Sequence, residues 1–144
     1  VIAADIAAEA IELARRNVER HHLQDRVTLI RANLLDAVPD DAAADVVCAN
    51  PPYVAEGEWE DLMTSVRDFE DPRALLAGAD GLDVVRDLIR DAGRVLRPGG
   101  LLAFEIGMGQ DEAVTQLLES AGYAAIQIRP DLAGIPRVAT AIAP

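Results

Sequence analysis

One cysteine, Cys48, stands in 144 residues, so no disulfide can close within the chain. That usage fits a reducing compartment, and a cytoplasmic location is expected. Aromatic residues make up 3% of the sequence against 51% apolar residues overall, which leaves a core of Leu, Ile, Val and Ala. No apolar run reaches the ~18 residues a membrane-spanning helix needs, and no leader-type segment is seen. Repeats and low-complexity tracts are absent too, so solenoid and linker architectures fall away. Basic residues are few: 13 against 25 acidic ones, a formal charge of −12. Such a balance repels phosphate backbones and weighs against a nucleic-acid partner, although the same charge also serves solubility.

What is present alternates between strand and helix patterns. Val1 to Ala4 is a short apolar run ending at Asp5. Ala7 to His22 has helical periodicity, with Ala10, Leu13, Ala14 and Val18 on one face and a Glu12–Arg16 pair at i, i+4. Val27 to Ile30 reads as a second strand. The continuous run Asp45 to Ala49 suits a strand covered on both faces, with Cys48 buried and inert in it. It meets Asn50-Pro51-Pro52-Tyr53, where two prolines must end a central strand. Residues 54–80 are long and poorly periodic, with a short helix around 58–65, and loops of this length are often functional. Leu82 to Leu96 is a helix with Leu82, Val85, Ile89, Ala92 and Leu96 on one face, stopped by Pro98-Gly99-Gly100. Leu101 to Ile106 is a buried strand. Asp111 to Ala121 is a helix with Val114, Leu117, Leu118 and Ala121 inward. Tyr123 to Arg129 and Arg137 to Ile142 are the last strands, and their short connection permits antiparallel pairing. The pattern predicts an α/β fold: a mainly parallel sheet with a terminal antiparallel strand.

In open parallel sheets ligands bind beyond the carboxyl ends of the strands. Asp5, Asn33 and Asn50 all fall there. A carboxylate at Asp5 suits two ribose hydroxyls, and it equally suits the N-cap of the next helix. The amide of Asn33 can pair with an adenine edge or simply close a turn. In Asn50-Pro51-Pro52-Tyr53, the Asn50 Oδ1 and a proline carbonyl are two acceptors able to hold an NH2 group in place and direct its lone pair. The Tyr53 ring can pack on a flat group beside them; the alternative is a rigid turn with a buried tyrosine. His21 and His22 end a helix without a metal-ligand pattern. Trp59 is either a lid or peptide contact or an anchor of the long loop, and Glu105 is read as a structural carboxylate near a strand end.

Asn50-Pro51-Pro52-Tyr53 after such a strand resembles the motif of methyltransferases that modify planar amino nitrogens. Phe69-Glu70-Asp71-Pro72-Arg73-Ala74-Leu75 with Gly78-Ala79-Asp80-Gly81-Leu82 is similar to the segment "EPxxAL…GxDGL" of the release-factor glutamine methyltransferases. Glu105-Ile106-Gly107 with Gln110 resembles their "EIGxxQ", and Asp131-Leu132-Ala133-Gly134 with Arg137 their "DLxGxxR". Departures are the Asp71 between glutamate and proline, Ala79 in place of a frequent glycine, and Asn33 where aspartate is usual.

The resemblance implies a Rossmann-like class I S-adenosylmethionine-dependent methyltransferase, with residues 1–144 as part of its catalytic domain. The family's first strand and glycine-rich loop would precede Val1. Implied roles are substrate grip by Asn50 and Pro51, with Pro52 and Tyr53 completing the motif, and S-adenosylmethionine binding by Asp5, Asn33, Leu34 and Asn50. Asp131 and Arg137 either pair or hold the motif loop. The implied reaction methylates a glutamine side-chain nitrogen in the Gly-Gly-Gln motif of a peptide-chain release factor. Two alternatives stand beside it: a nucleic-acid amino-methyltransferase acting on adenine N6 or guanine N2, and a non-catalytic fragment that self-associates through exposed sheet edges.

Overall fold

The computed structural model describes residues 1–144. They form two compact units, Val1–Asp40 and Asp41–Pro144.

In the first unit, β1 (Ile2–Asp5), α1 (Ala8–Arg20) and β2 (Thr28–Arg31) make a strand–helix–strand crossover with the strands parallel. Parallel neighbours require such a crossover, and the periodic segment after Asp5 provides the helix. Its apolar stripe runs through Ala10, Ile11, Ala14 and Val18, all half-buried. Leu13, expected on that face, is 54% exposed, because Ile11 takes the inward position and rotates the stripe away from it. On the solvent side Arg15 bridges Glu12 at 2.7 Å and Glu19 at 2.5 Å. The expected Glu12–Arg16 pair is longer, 3.9 Å.

The second unit is a four-stranded sheet of β3 (Ala44–Ala49), β4 (Leu96–Glu105), β5 (Ala124–Pro130) and β6 (Pro136–Ile142), in the order β3-β4-β6-β5. β3 and β4 are parallel, and β6 is antiparallel to both of its neighbours. The chain-terminal strand is thus antiparallel, as expected, and it is inserted between β4 and β5. The helices are a single turn, α2 (Thr64–Arg67), then α3 (Asp83–Val95) and α4 (Asp111–Ser120).

Burial follows the predicted periods on α3, where Val85, Leu88, Ile89, Ala92 and Val95 are buried, and on β4 at Leu102 and Phe104. Val114 and Leu118 of α4 and Ala139 and Ala141 of β6 complete the core. Leu117 is only half-buried and Ala121 is exposed, so the inward face of α4 is narrower than its sequence suggests. Apart from Phe104 and Tyr123 the core is aliphatic, each large side chain contributing ~1.5–3 kcal/mol by leaving water.

Two further expectations are corrected. Pro98-Gly99-Gly100 does not separate α3 from the next strand but lies inside β4. Leu96 already pairs with Ala44, and the register then shifts before Leu101 meets Val46. Gly99, at φ 77°, lets this bulge stay bonded: its N–H donates to the Ala143 carbonyl at 3.1 Å, and the Ala143 N–H donates to the Gly100 carbonyl at 2.8 Å. β3 is not covered on both faces. Val47 is buried, but Val46 is 54% exposed and Cys48 is also exposed. Alternation along the strand puts those two on the uncovered face.

The long segment after β3 holds two 3-10 turns, Glu56–Asp61 and Pro72–Ala74, on either side of α2. It is closed at its base. The Val54 N–H donates to the Leu75 carbonyl at 2.8 Å, Ala77 N–H to Val54 at 2.9 Å and Glu56 N–H to Gly78 at 2.9 Å.

Candidate active site

The end of β3 dictates the local geometry. Pro51 and Pro52 have no N–H for a ladder, so pairing stops and the chain turns away from the sheet. Pro51 is buried, Pro52 and Tyr53 are half-buried, and Asn50 is exposed. Together with Val54 and Leu75 these four residues line a cavity of about 120 Å³. Neither the Asn50 side chain nor the Pro51 carbonyl is engaged by another group of the chain. Both acceptors are therefore available to a ligand.

Tyr53 is fixed at both ends. Its hydroxyl donates to Glu105 Oε1 at 3.2 Å. Burial, and after it the Glu105 carboxylate, push the hydroxyl above its ordinary 10.0, while Arg137 pulls the other way. Its main-chain carbonyl accepts from Gln110 Nε2 at 3.0 Å, and the same nitrogen donates to the Gly81 carbonyl at 3.1 Å. Gln110 Oε1 in turn accepts the Gly107 N–H at 2.8 Å.

The tightness of this cluster explains two of its glycines. At Gly81, φ is 73° and a Cβ would stand 2.5 Å from the Tyr53 carbonyl oxygen. At Gly107 a Cβ would meet Gln110 Oε1 at 2.8 Å and Tyr53 Cδ2 at 3.2 Å. Gly81 and the stretch from Glu105 to Gln110, distant from Tyr53 in sequence, thus converge on it.

The turn between β5 and β6 buttresses the same end of β4. Asp131 Oδ1 accepts the N–H groups of Ala133 at 2.8 Å and Ile135 at 3.1 Å. Those bonds, Ile135 foremost, hold its carboxyl below the usual range. Arg137 lies 3.6 Å from Asp131 Oδ2, and the Ile106 N–H donates to the Arg137 carbonyl at 2.9 Å.

Asp5, Asn33 and Leu34 belong to the first unit. Ala32 N–H donates to the Asp5 carbonyl at 3.1 Å, carrying the pairing one residue beyond β2. Asp5 and Asn33 therefore share the carboxyl end of the two strands. The helix cap is Ala7, not Asp5. Asp5 Oδ1 closes an Asx turn on the Ala7 N–H at 2.8 Å, and the exposed carboxylate keeps Oδ2 unengaged. Asn33 is exposed and its carbonyl accepts the Asp36 N–H at 3.1 Å. Leu34 sits in left-handed backbone at φ 49°.

Among the weaker candidates, His21 and His22 are exposed, and Trp59 is half-buried in its 3-10 turn. Glu105 has the structural role expected of it and also a specific one, as the acceptor for Tyr53. The clamp by Gln110 is not legible in spacing alone. The sequence marks Gln110 as the end of the Glu105-Ile106-Gly107 resemblance, but not the groups it binds.

The methyltransferase small domain family has a model that matches residues 1–77. A release factor glutamine methyltransferase of Rhodopirellula baltica is 40% identical over 96% of this chain and 47% of its own length. Its counterpart in Gloeobacter violaceus is 43% identical over 96% of this chain and 48% of its own. The chain thus spans about half the length of the curated relatives it matches. A methyltransferase structure from Pyrococcus furiosus superposes with a TM-score of 0.70 at 20% identity, covering 99% of this chain and 61% of that one. This likeness concerns the fold.

Proposed function

The chain belongs to the methyltransferase small domain family, and from that premise we propose that it is part of an enzyme methylating a glutamine side-chain nitrogen. The acceptor proposed is the Gly-Gly-Gln motif of a peptide-chain release factor. The observation that carries the reading is the Asn50–Tyr53 turn, with two unengaged acceptors beside an anchored tyrosine ring.

An amide nitrogen is a poor nucleophile because its lone pair is delocalised. Asn50 Oδ1 and the Pro51 carbonyl accept its two N–H bonds, fix its position and favour pyramidalisation. Tyr53, held by Glu105, packs against the flat amide. Alignment of this kind acts through proximity and orientation. The proton leaves after transfer, so no general base is required of the chain.

S-adenosylmethionine supplies an electrophilic methyl group on a sulfonium. Within the first unit the open Oδ2 of Asp5 suits ribose hydroxyls and the Asn33 amide, next to Leu34, suits an adenine edge. The charge of −12 weighs against a nucleic-acid acceptor.

The test restores the relatives' length by fusing the chain behind the N-terminal half of the Gloeobacter violaceus relative. Methyl-labelled S-adenosylmethionine is offered with a release factor and, separately, with DNA and RNA. Label in the release factor is the expected result. Label in nucleic acid alone, or in neither, contradicts the reading.

A further inference from the structure

We propose that Gln110 is a positioning residue for the Asn50–Tyr53 turn, acting through its two-sided amide rather than by touching substrate. The inference rests on the function proposed for that turn.

The amide is used in both senses. Nε2 donates to the carbonyls of Tyr53 and Gly81, at 3.0 and 3.1 Å, and Oε1 accepts the Gly107 N–H at 2.8 Å. One side chain thus joins the turn after β3, the residue that leads into α3 and the end of β4. Gln110 itself is fixed, because it begins α4 and its carbonyl accepts the Val114 N–H at 2.9 Å.

The position matters more than the count of bonds. The two prolines deprive the turn of N–H groups, so few main-chain bonds can hold it. The Val54 pairing with Leu75 and Ala77 fixes the chain just beyond it. Between β3 and Val54, the carbonyl of Tyr53 is the handle the fold grips. Holding that carbonyl fixes the main chain at the residue that carries the ring.

No other side chain of similar length reproduces the pattern. Glutamate keeps an acceptor for Gly107 but replaces the donor by an oxygen facing two carbonyls. Methionine keeps length and loses all three bonds. Gly81 and Gly107 allow the amide to come this close, since a Cβ at either would overlap the clamp.

The test uses fluorine NMR of the 144-residue chain labelled with 3-fluorotyrosine. There are two tyrosines, Tyr53 and Tyr123, and Tyr123 is an internal control: it is buried and its hydroxyl donates to the Ile89 carbonyl at 3.0 Å. In Gln110→Glu and Gln110→Met the Tyr53 resonance should broaden or move toward the shift of free fluorotyrosine, while the Tyr123 resonance stays in place. An unchanged Tyr53 resonance in both variants overturns the proposal. So does loss of the native Tyr123 resonance in both, which would make Gln110 a general stability residue. The readout needs no methyl transfer, so its failure is separate from failure of the proposed reaction. In the fused enzyme described above, the same variants should lower kcat at least tenfold with KM for S-adenosylmethionine within twofold. A change confined to that KM contradicts positioning of the acceptor.

Discussion

The Tyr53 hydroxyl donates to Glu105 Oε1 at 3.2 Å, tying the residue that follows the two prolines to the last residue of β4. Burial is the leading reason that this hydroxyl titrates above 10.0, and the charge of Glu105 comes second. Glu105→Gln should therefore lower the Tyr53 pKa without returning it fully to 10.0. Alkaline titration followed at the Tyr53 ring carbon resonance of unfluorinated protein measures it, and a pKa unchanged by the substitution would remove Glu105 as a cause.

Asn50→Ala removes one of two acceptors for the substrate amide. In the fused enzyme kcat should fall by about 100-fold, the order lost when one preorganised polar contact to a reacting group is deleted. Steady-state kinetics with release factor as acceptor decides this, and a loss under threefold would take Asn50 out of the site.

Gly81 and Gly99 share positive φ, 73° and 77°, but differ in their surroundings. A Cβ at Gly81 lies 2.5 Å from the Tyr53 carbonyl, whereas at Gly99 nothing lies within 4 Å. Gly99→Ala should cost only the left-handed backbone penalty of ~1–2 kcal/mol. Gly81→Ala adds overpacking, for a total of ~3 kcal/mol or more. Urea unfolding of the two variants compares them; equal losses would mean that the clamp around Tyr53 is looser than described.

Tyr123 is pushed from 10.0 up to about 12 by burial. Its folded pKa lies above its unfolded one, so its contribution to stability is complete below pH 10 and is lost as pH rises through 12. The loss across that window is roughly 3 kcal/mol. Urea midpoints from pH 9 to 12 should fall in the native chain and fall less steeply in Tyr123→Phe. Parallel curves would contradict the assignment.

The fold was legible where one helix face decides burial, as on α3, whose buried residues follow its apolar spacing, and where a short connection decides pairing, as between the antiparallel end strands. Reading failed where a neighbour decides. Leu13 lost its inward place to Ile11, since both lie at the border of the same stripe. Pro98-Gly99-Gly100 looked like a stop, yet Ala143 pairs with the two glycines and carries the strand through. The Asn50–Tyr53 turn could be located from its two prolines, but not the Gln110 clamp, whose three partners come from separate parts of the chain and meet only when folded.

Cys48 shows the same limit. An apolar run around it reads as buried, while in the structure Val47 is buried and Val46 and Cys48 are exposed. The thiol should react with Ellman's reagent in native buffer at a rate close to that in urea. Reaction only after unfolding would mean that this face of β3 is covered.

The most direct measurement is mass-spectrometric localisation of the transferred methyl group on a release factor after reaction with the fused enzyme. The account predicts one methyl group on the side-chain nitrogen of the glutamine in Gly-Gly-Gln, formed about 100-fold more slowly in Asn50→Ala. A methyl group on any other atom, or one that persists undiminished in Asn50→Ala, would contradict it.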